Sequence, residues 1–188
     1  DRHLGLIPPK EHGQTALTSK RICQLITDSV DLDRLIALGR VAPTLSLEAS
    51  SPADPVAPRS HGVRIGVFQD SCFTFYYPEN LEGLVESGGT LLEVSPLEDS
   101  TLPEVDALYI GGGFPETHAE QLVRNRSMMQ AVKEKAVQGL PVYAECGGLI
   151  YLARSFAWKD KDYPMSGVFP VDLKMSAKPV GHGYTRLE

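Results

Sequence analysis

The sequence predicts an α/β protein with a mostly parallel sheet and flanking helices. From residue 63 onward, short apolar runs alternate with segments of helical character, an order typical of parallel strands joined by crossover helices. Two of these runs end directly in glycine-rich turns, at residues 111–113 and 147–148. Ligands of open parallel sheets bind outside the carboxyl ends of the strands. We therefore expect the two glycine turns to face one crevice.

A helical segment and a linker precede the predicted sheet. Apolar residues within 15–38 recur at spacings that form one helical face, and an interruption around residues 28–31 indicates two short helices. Four prolines among small and polar residues then mark an extended linker at 41–61. The chain is accordingly divided into a helical region at 1–40, the linker at 41–61 and an α/β domain at 62–188.

The α/β domain is predicted to contain four strands and two helices before its tail. The apolar runs place strands at 63–68, 90–94, 105–110 and 140–145 and helices at 79–87 and 117–138. Thr117 is the expected N-cap of the long helix, with Glu120 completing a capping box. The tail is expected to add strands at 168–173 and 181–187.

Cys146 is the candidate nucleophile. It lies between a predicted strand and the glycine pair Gly147 and Gly148. A strand-to-helix turn of this kind exposes the thiol at the sheet edge beside backbone N–H groups, which favours the reactive thiolate. An isolated cysteine is more often a buried structural residue. The second glycine cluster, residues 111–113, favours catalysis here because its N–H groups can stabilise an oxyanion.

These motifs resemble class I, triad-type glutamine amidotransferases, which have a flavodoxin-like fold. The resemblance rests on the glycine turn at 111–113 and on Ala144-Glu145-Cys146-Gly147-Gly148. The aromatic segment at 73–81 and the run Gly113-Phe114-Pro115-Glu116 resemble the glutaminase half of the cobyrinic acid a,c-diamide synthase family. The resemblance covers the whole chain and is densest at 63–152.

The resemblance implies roles for individual residues. Cys146 would attack the side-chain amide of glutamine, form a glutamyl thioester and release ammonia. The predicted oxyanion and substrate-binding residues are Gly112, Gly113, Gly147 and Gly148. Glu116 and Glu145 are expected at the pocket rim, where Glu145 would orient the turn or contact another domain. The aromatic residues at 73–77 would pack in the core, or contact glutamine or a partner domain.

The resemblance also implies that the chain is a truncated piece of a larger ligase. The family's N-terminal domain uses ATP and Mg²⁺ to activate a corrin carboxylate, and residues 1–40 would be its helical tail. No Gly-x-x-x-x-Gly-Lys-Ser/Thr loop occurs in this sequence. The family's catalytic histidine falls beyond Glu188, and His182 does not match it. We therefore expect this fragment to bind no cofactor and to hydrolyse little glutamine alone. The corrin substrate would contact the missing domain, and the protein could form a homodimer.

Composition argues against several other functions. A formal net charge of −6 without a basic cluster disfavours nucleic-acid binding. The three cysteines form no CxxC pair, which disfavours a zinc site or a disulfide framework. No signal peptide or membrane segment is recognised, so a cytoplasmic enzyme with a reduced thiol is expected.

Two other functions remain open from the sequence. One is an amidotransferase domain that serves another acceptor, such as cobyric acid, a sirohydrochlorin-type ring or a cell-wall carboxylate. The other is an inactive amidotransferase-like domain that only binds a partner.

Overall fold

The computed structural model describes residues 15–44 and 62–176, which belong to two separate compact units. The first contains helices α1 (Thr15–Ser29) and α2 (Leu32–Val41). The predicted interruption is therefore confirmed, and α2 begins where the Asp31 carboxylate accepts a hydrogen bond from Arg34 N at 2.9 Å. Most of the predicted linker lies at 45–61, outside the described residues.

The second unit contains nine strands and four α-helices within residues 62–176. The strands are β1 (Arg64–Phe68), β2 (Phe73–Phe75), β3 (Thr90–Val94), β4 (Ala107–Ile110), β5 (Gly112–Gly113), β6 (Val142–Ala144), β7 (Ser155–Trp158), β8 (Lys161–Pro164) and β9 (Asp172–Lys174). The helices are α3 (Pro78–Glu86), α4 (Ala119–Arg124), α5 (Arg126–Val137) and α6 (Gly147–Leu152).

A four-stranded parallel sheet confirms the predicted α/β class. Its strand order is β3-β1-β4-β6, and each neighbouring pair is parallel. Because all four strands run the same way, the turns after β1, β4 and β6 lie at one edge. This edge brings together the aromatic segment, the glycine turn at 111–113 and Cys146.

The turn after β1 is fixed by the Asp70 carboxylate. Its oxygens accept hydrogen bonds from Cys72 N at 2.7 Å, Phe73 N at 3.2 Å and Ser95 Oγ at 2.9 Å. The chain then enters β2, which pairs antiparallel with β5, so that Phe73 lies opposite Gly113 and Phe75 opposite Gly112. The glycine turn is thereby held against the aromatic strand.

The core packs the parallel sheet against α4, α5, α6 and β7. At its centre, the rings of Phe68, Phe73 and Tyr151 meet with centroid distances of 5.2–6.0 Å. All three side chains are fully buried. Edge-to-face aromatic packing of this kind fixes the turn after β1 relative to α6, which follows Cys146.

The prediction of one long helix at 117–138 is wrong. Residues 115–117 form a 3₁₀ turn, and α4 and α5 are separated at Asn125, whose side chain caps α5 by accepting from Met128 N at 3.4 Å. The predicted capping box is also wrong. His118, not Thr117, is the N-cap residue of α4, and Thr117 Oγ1 instead donates to Phe114 O at 2.8 Å.

Replacing Asn125 with alanine is expected to lower the free energy of unfolding by about 2–3 kcal/mol, combining a lost helix cap with two lost hydrogen bonds. The Asn125 amide also donates to Pro96 O and Asp99 O, each at 2.8 Å, so it ties the start of α5 to the loop after β3. Urea denaturation measures the change. Gln130→Ala, which removes only an exposed side-chain pair with Glu134, is the control and should change stability by a few tenths of a kcal/mol at most. Equal losses in the two variants would contradict this role.

The tail differs from the prediction. The hairpin of β7 and β8 was not predicted, and the expected strand at 168–173 is replaced by the shorter β9. β9 pairs parallel with β7 in a separate three-stranded sheet of order β8-β7-β9. Its first residue, Asp172, accepts hydrogen bonds from the Arg154 guanidinium and from Ser155 Oγ at 2.7 Å. The predicted strand at 181–187 lies outside the described residues.

Asp172→Asn is expected to flatten the acid side of the stability profile. The Arg154 hydrogen bonds, with help from Ser155, hold the pKa of Asp172 well below its usual range. A carboxylate with a lowered folded-state pKa contributes stability that is present above its unfolded pKa of about 3.9 and is lost as the pH falls below it. The urea midpoint of the wild type should therefore fall more between pH 7 and about pH 3 than that of the variant. Asp162→Asn, on neighbouring β8, is the control; if it flattened the profile equally, the Arg154 pair would not be the cause.

Candidate active site

Cys146 lies on a sharp turn between β6 and α6. Its backbone has φ 50° and ψ −112°, a conformation that non-glycine residues rarely adopt, and the residue is exposed. Strained backbone of this kind costs about 1–3 kcal/mol and persists where the surrounding structure enforces it. The same geometry presents nucleophiles in α/β enzymes that use a nucleophile elbow.

The glycine turn lies directly against this elbow. A Cβ atom at Gly112 would lie 3.5 Å from Cys146 Cβ. A Cβ atom at Gly147 would lie 2.9 Å from Pro115 Cδ and 3.0 Å from Gly113 O. Only glycine permits such close approach of the two chain segments. The first N–H of α6, at Gly147, has no acceptor within the helix, so it is available beside the thiol.

Cys146 and the glycine turn open onto a cavity of about 440 Å³. The lining residues are Thr74, Phe75, Tyr76, Tyr77, Gly112, Glu145 and Cys146. The sequence predicted either core packing or substrate contact for the aromatic segment. In the structure, Phe73 is buried in the core, whereas the next four residues line the cavity. This size is that of a small-molecule site.

Tyr76 fixes the start of the glycine turn, a role not foreseen from the sequence. Its hydroxyl accepts a hydrogen bond from Gly111 N at 2.9 Å and donates to Phe68 O. Burial raises the pKa of Tyr76, so the hydroxyl remains protonated and able to donate. The N–H of Gly111 is therefore engaged. The next two residues of the turn contact the elbow, Gly112 at Cys146 and Gly113 at Gly147.

Glu145 is one of the residues that line the cavity. Its carboxylate accepts hydrogen bonds from Tyr109 OH at 3.1 Å and from Tyr143 OH at 3.5 Å. Burial raises the pKa of Tyr109, and the hydrogen bond to Glu145 raises it further. The two tyrosines are register partners on β4 and β6, so the sheet itself positions the carboxylate next to Cys146.

The structure places two predicted site residues elsewhere. The N–H of Gly148 donates to Glu145 O at 2.8 Å, and a Cβ atom at Gly148 would lie 2.8 Å from Ile110 O. Gly148 therefore allows α6 to pack closely on β4 rather than facing the cavity. Glu116 is only 5% exposed and lines a different cavity of about 320 Å³ with His118 and Tyr163.

No histidine in residues 15–44 or 62–176 lines the Cys146 cavity. His118 is the single histidine of these ranges. Its Nε2 lies 3.1 Å from Ser71 Oγ and its Nδ1 lies 2.9 Å from Thr117 Oγ1, in the cavity that contains Glu116. His182 lies outside the described residues.

Neither a metal-binding cluster nor a membrane-spanning helix occurs in the described ranges. They contain no group of three or more histidine, cysteine or acidic side chains able to hold a metal ion. None of their helices combines the length and apolar character needed to cross a membrane.

A cysteine elbow at the carboxyl edge of a parallel α/β sheet, with a glycine turn packed against it, is the arrangement of glutamine amidotransferase domains. A family profile described as the CobB/CobQ-like glutamine amidotransferase domain matches residues 64–188, and the chain belongs to this family.

Curated relatives match the chain over all or nearly all of its length. A cobyrinate a,c-diamide synthase from Magnetococcus marinus is 40% identical over 190 residues, which cover 100% of this chain and 41% of that protein. Proteins of the same name from Listeria monocytogenes serotype 4b and Methanobrevibacter smithii are 41% and 37% identical, covering 98% and 100% of this chain. The chain spans 40% of the length of each of these two proteins.

Proposed function

We propose that this chain is the glutamine-hydrolysing part of a cobyrinate a,c-diamide synthase. The observation that carries the proposal is the juxtaposition of the Cys146 elbow with Gly112 at the mouth of a cavity sized for a small molecule, with Gly113 packed against Gly147. Membership of the amidotransferase family and the names of the full-length relatives support the assignment.

The chemistry proposed for the cavity begins at the Cys146 sulfur. The thiolate attacks the side-chain amide carbon of glutamine, and the carbonyl oxygen becomes an oxyanion beside Gly112, Gly113 and the Gly147 N–H. The carbon–nitrogen bond then breaks, the nitrogen takes up a proton, and ammonia leaves a glutamyl thioester. Water hydrolyses the thioester to glutamate and restores the thiol. The base that accepts the thiol proton is assigned to residues outside the described ranges.

The acceptor is proposed to be a corrin carboxylate. In this proposal, ATP and Mg²⁺ activate the carboxylate in the part of the ligase that this chain does not span, and ammonia displaces the activating group. The glutaminase cavity contributes nitrogen only. A reducing cytoplasm would keep the Cys146 thiol available for the reaction.

The test uses the natural full-length protein with cobyrinic acid, Mg·ATP and glutamine labelled with ¹⁵N in its side-chain amide. Mass spectrometry should show two labelled amides on the corrin. Glutamine hydrolysis without a labelled corrin would reassign the acceptor and retain the amidotransferase. Corrin amidation from free ammonia with no use of glutamine would leave the domain as a binding module and overturn the glutaminase assignment.

A further inference from the structure

The Glu145 carboxylate retains unused hydrogen-bonding capacity. A carboxylate offers about four acceptor positions, and the two tyrosine hydroxyls occupy one on each oxygen. The tyrosines thus fix the carboxylate and bring no positive charge to it. The remaining acceptor positions belong to a side chain that lines the same cavity as the nucleophile.

Glu145 is also without a cationic partner among residues 15–44 and 62–176. The cavity lining contains no lysine, arginine or histidine. The ion pairs recorded in these ranges lie elsewhere and join Arg64 to Asp106, Lys135 to Glu104, Arg154 to Asp172 and Lys161 to Glu120. A carboxylate without a cationic partner at a partly enclosed site favours a ligand that brings a positive charge.

Aromatic rings beside the carboxylate favour an ammonium group. Tyr76 and Tyr77 line the cavity together with Glu145. Cations are attracted to the faces of such rings, and the attraction increases when water is excluded. A carboxylate beside tyrosine rings therefore combines the two interactions by which proteins commonly bind ammonium ions.

Glu145 and Cys146 are adjacent in the sequence and line the same cavity. The two residues are consecutive, and consecutive Cα atoms are about 3.8 Å apart. In extended glutamine the α-nitrogen lies about 5 Å from the amide carbon, by standard bond lengths. An amide held at the Cys146 sulfur therefore leaves the α-ammonium about 5 Å away, in the cavity that Glu145 also lines.

We propose that Glu145 binds the α-ammonium group of free glutamine, with Tyr109 and Tyr143 as positioning residues. This inference rests on the proposed glutaminase function. Glu145 would thereby select free glutamine over two other kinds of amide. These are primary amides that lack a positive charge and glutamine residues whose α-nitrogen is acylated.

The test compares glutamine with glutaramate, which carries hydrogen in place of the α-ammonium group. Each compound is used to protect Cys146 of the natural full-length protein from iodoacetamide, and alkylation is read by peptide mass spectrometry. Glutamine should protect the wild type at a concentration about tenfold or more below that of glutaramate. This factor corresponds to the free energy of one charge-assisted hydrogen bond. Glu145→Gln should raise the protective concentration of glutamine about tenfold and leave that of glutaramate unchanged.

Glu79→Gln is the matched control. Glu79 lines a separate cavity of about 660 Å³ on the sheet, together with Tyr109 and Tyr143 but without Cys146. It should leave both protection curves unchanged. Equal protection by the two compounds in the wild type would overturn the inference while leaving the glutaminase function intact, as would equal weakening of both in Glu145→Gln. Failure of glutamine to protect Cys146 in the wild type would overturn the glutaminase function itself.

Discussion

Replacing Cys146 with alanine is expected to abolish glutamine-dependent amidation while ammonia-dependent amidation continues at its normal rate. The alanine has no sulfur to attack the amide, so no thioester forms, and a loss of at least about 10³-fold is expected for a removed nucleophile. Free ammonia bypasses this step. Both rates are measured on the natural full-length protein with the same corrin substrate, glutamine or ammonium chloride being the only difference.

Cys23→Ala is the control for this experiment. Cys23 is also exposed and free, but it lies on α1 in the helical unit. Its replacement should change neither rate. Loss of both rates in Cys146→Ala would show that Cys146 is needed for structure rather than for attack on glutamine. Retention of glutamine use would require a nucleophile elsewhere in the protein.

Local pattern was sufficient to predict the parallel sheet. The apolar run at 90–94 has the same bounds as β3, and the other three predicted strands are longer than β1, β4 and β6 by one to three residues. Buried parallel strands are nearly continuous apolar runs, so their signal lies within the run itself. Their ends are less distinct because the same apolar residues continue into the adjoining turns.

The break between α4 and α5 was not visible in the sequence because distant contacts produce it. Residues 117–138 have no proline or glycine to end a helix. The Asn125 amide instead reaches the carbonyls of Pro96 and Asp99, which lie 29 and 26 residues earlier in the chain. Hydrogen bonds of this range depend on the folded loop after β3, and no local propensity encodes them.

The glycines and the cysteine of the candidate site were predictable from local sequence motifs. Residues whose place in the site depends on tertiary packing were less predictable. The sequence indicated Gly112, Gly113 and Gly147 as neighbours of Cys146, and the structure brings them together. It left Tyr76, with the other aromatic residues at 73–77, between the core and contact with glutamine or a partner domain, and it did not indicate that Tyr76 holds the glycine turn. Its contact with Gly111 exists only after β2 has paired with β5.

Gly148 and Glu116 show why position in a motif does not fix a role. Gly148 is next to Gly147, but its N–H is engaged with Glu145 O and its Cα faces Ile110. Glu116 is close to the glycine turn in sequence, yet the 3₁₀ turn at 115–117 directs it into another cavity. In a tight turn, neighbouring residues face different directions, so adjacency to Gly147 or to the glycine turn does not place a residue in the Cys146 cavity.

Gly147→Ala is expected to reduce glutamine-dependent activity about 10²–10³-fold, the cost of losing one oxyanion donor. The added methyl group would lie 2.9 Å from Pro115 Cδ, 3.0 Å from Gly113 O and 3.2 Å from Gly113 N. Two of these atoms are backbone, so relief requires the glycine turn to move away from Cys146. Overpacking of this kind also lowers the free energy of unfolding by about 1–3 kcal/mol. Glutamine kinetics and thermal unfolding measure the two effects.

The control, Gly83→Ala, separates crowding at the elbow from a general effect of added methyl groups. Gly83 lies within α3, and a Cβ atom there would have no neighbour within 4 Å. The variant should be more stable by about 0.5–1 kcal/mol, because alanine is the better helix former, with unchanged glutamine kinetics. A Gly147→Ala protein that keeps its ammonia-dependent rate but loses glutamine use would show that the close approach of Gly147 to Gly113 serves the attack on glutamine. A variant within threefold of the wild type for glutamine would show that the turn can move without consequence, and the oxyanion would have to be stabilised by other donors.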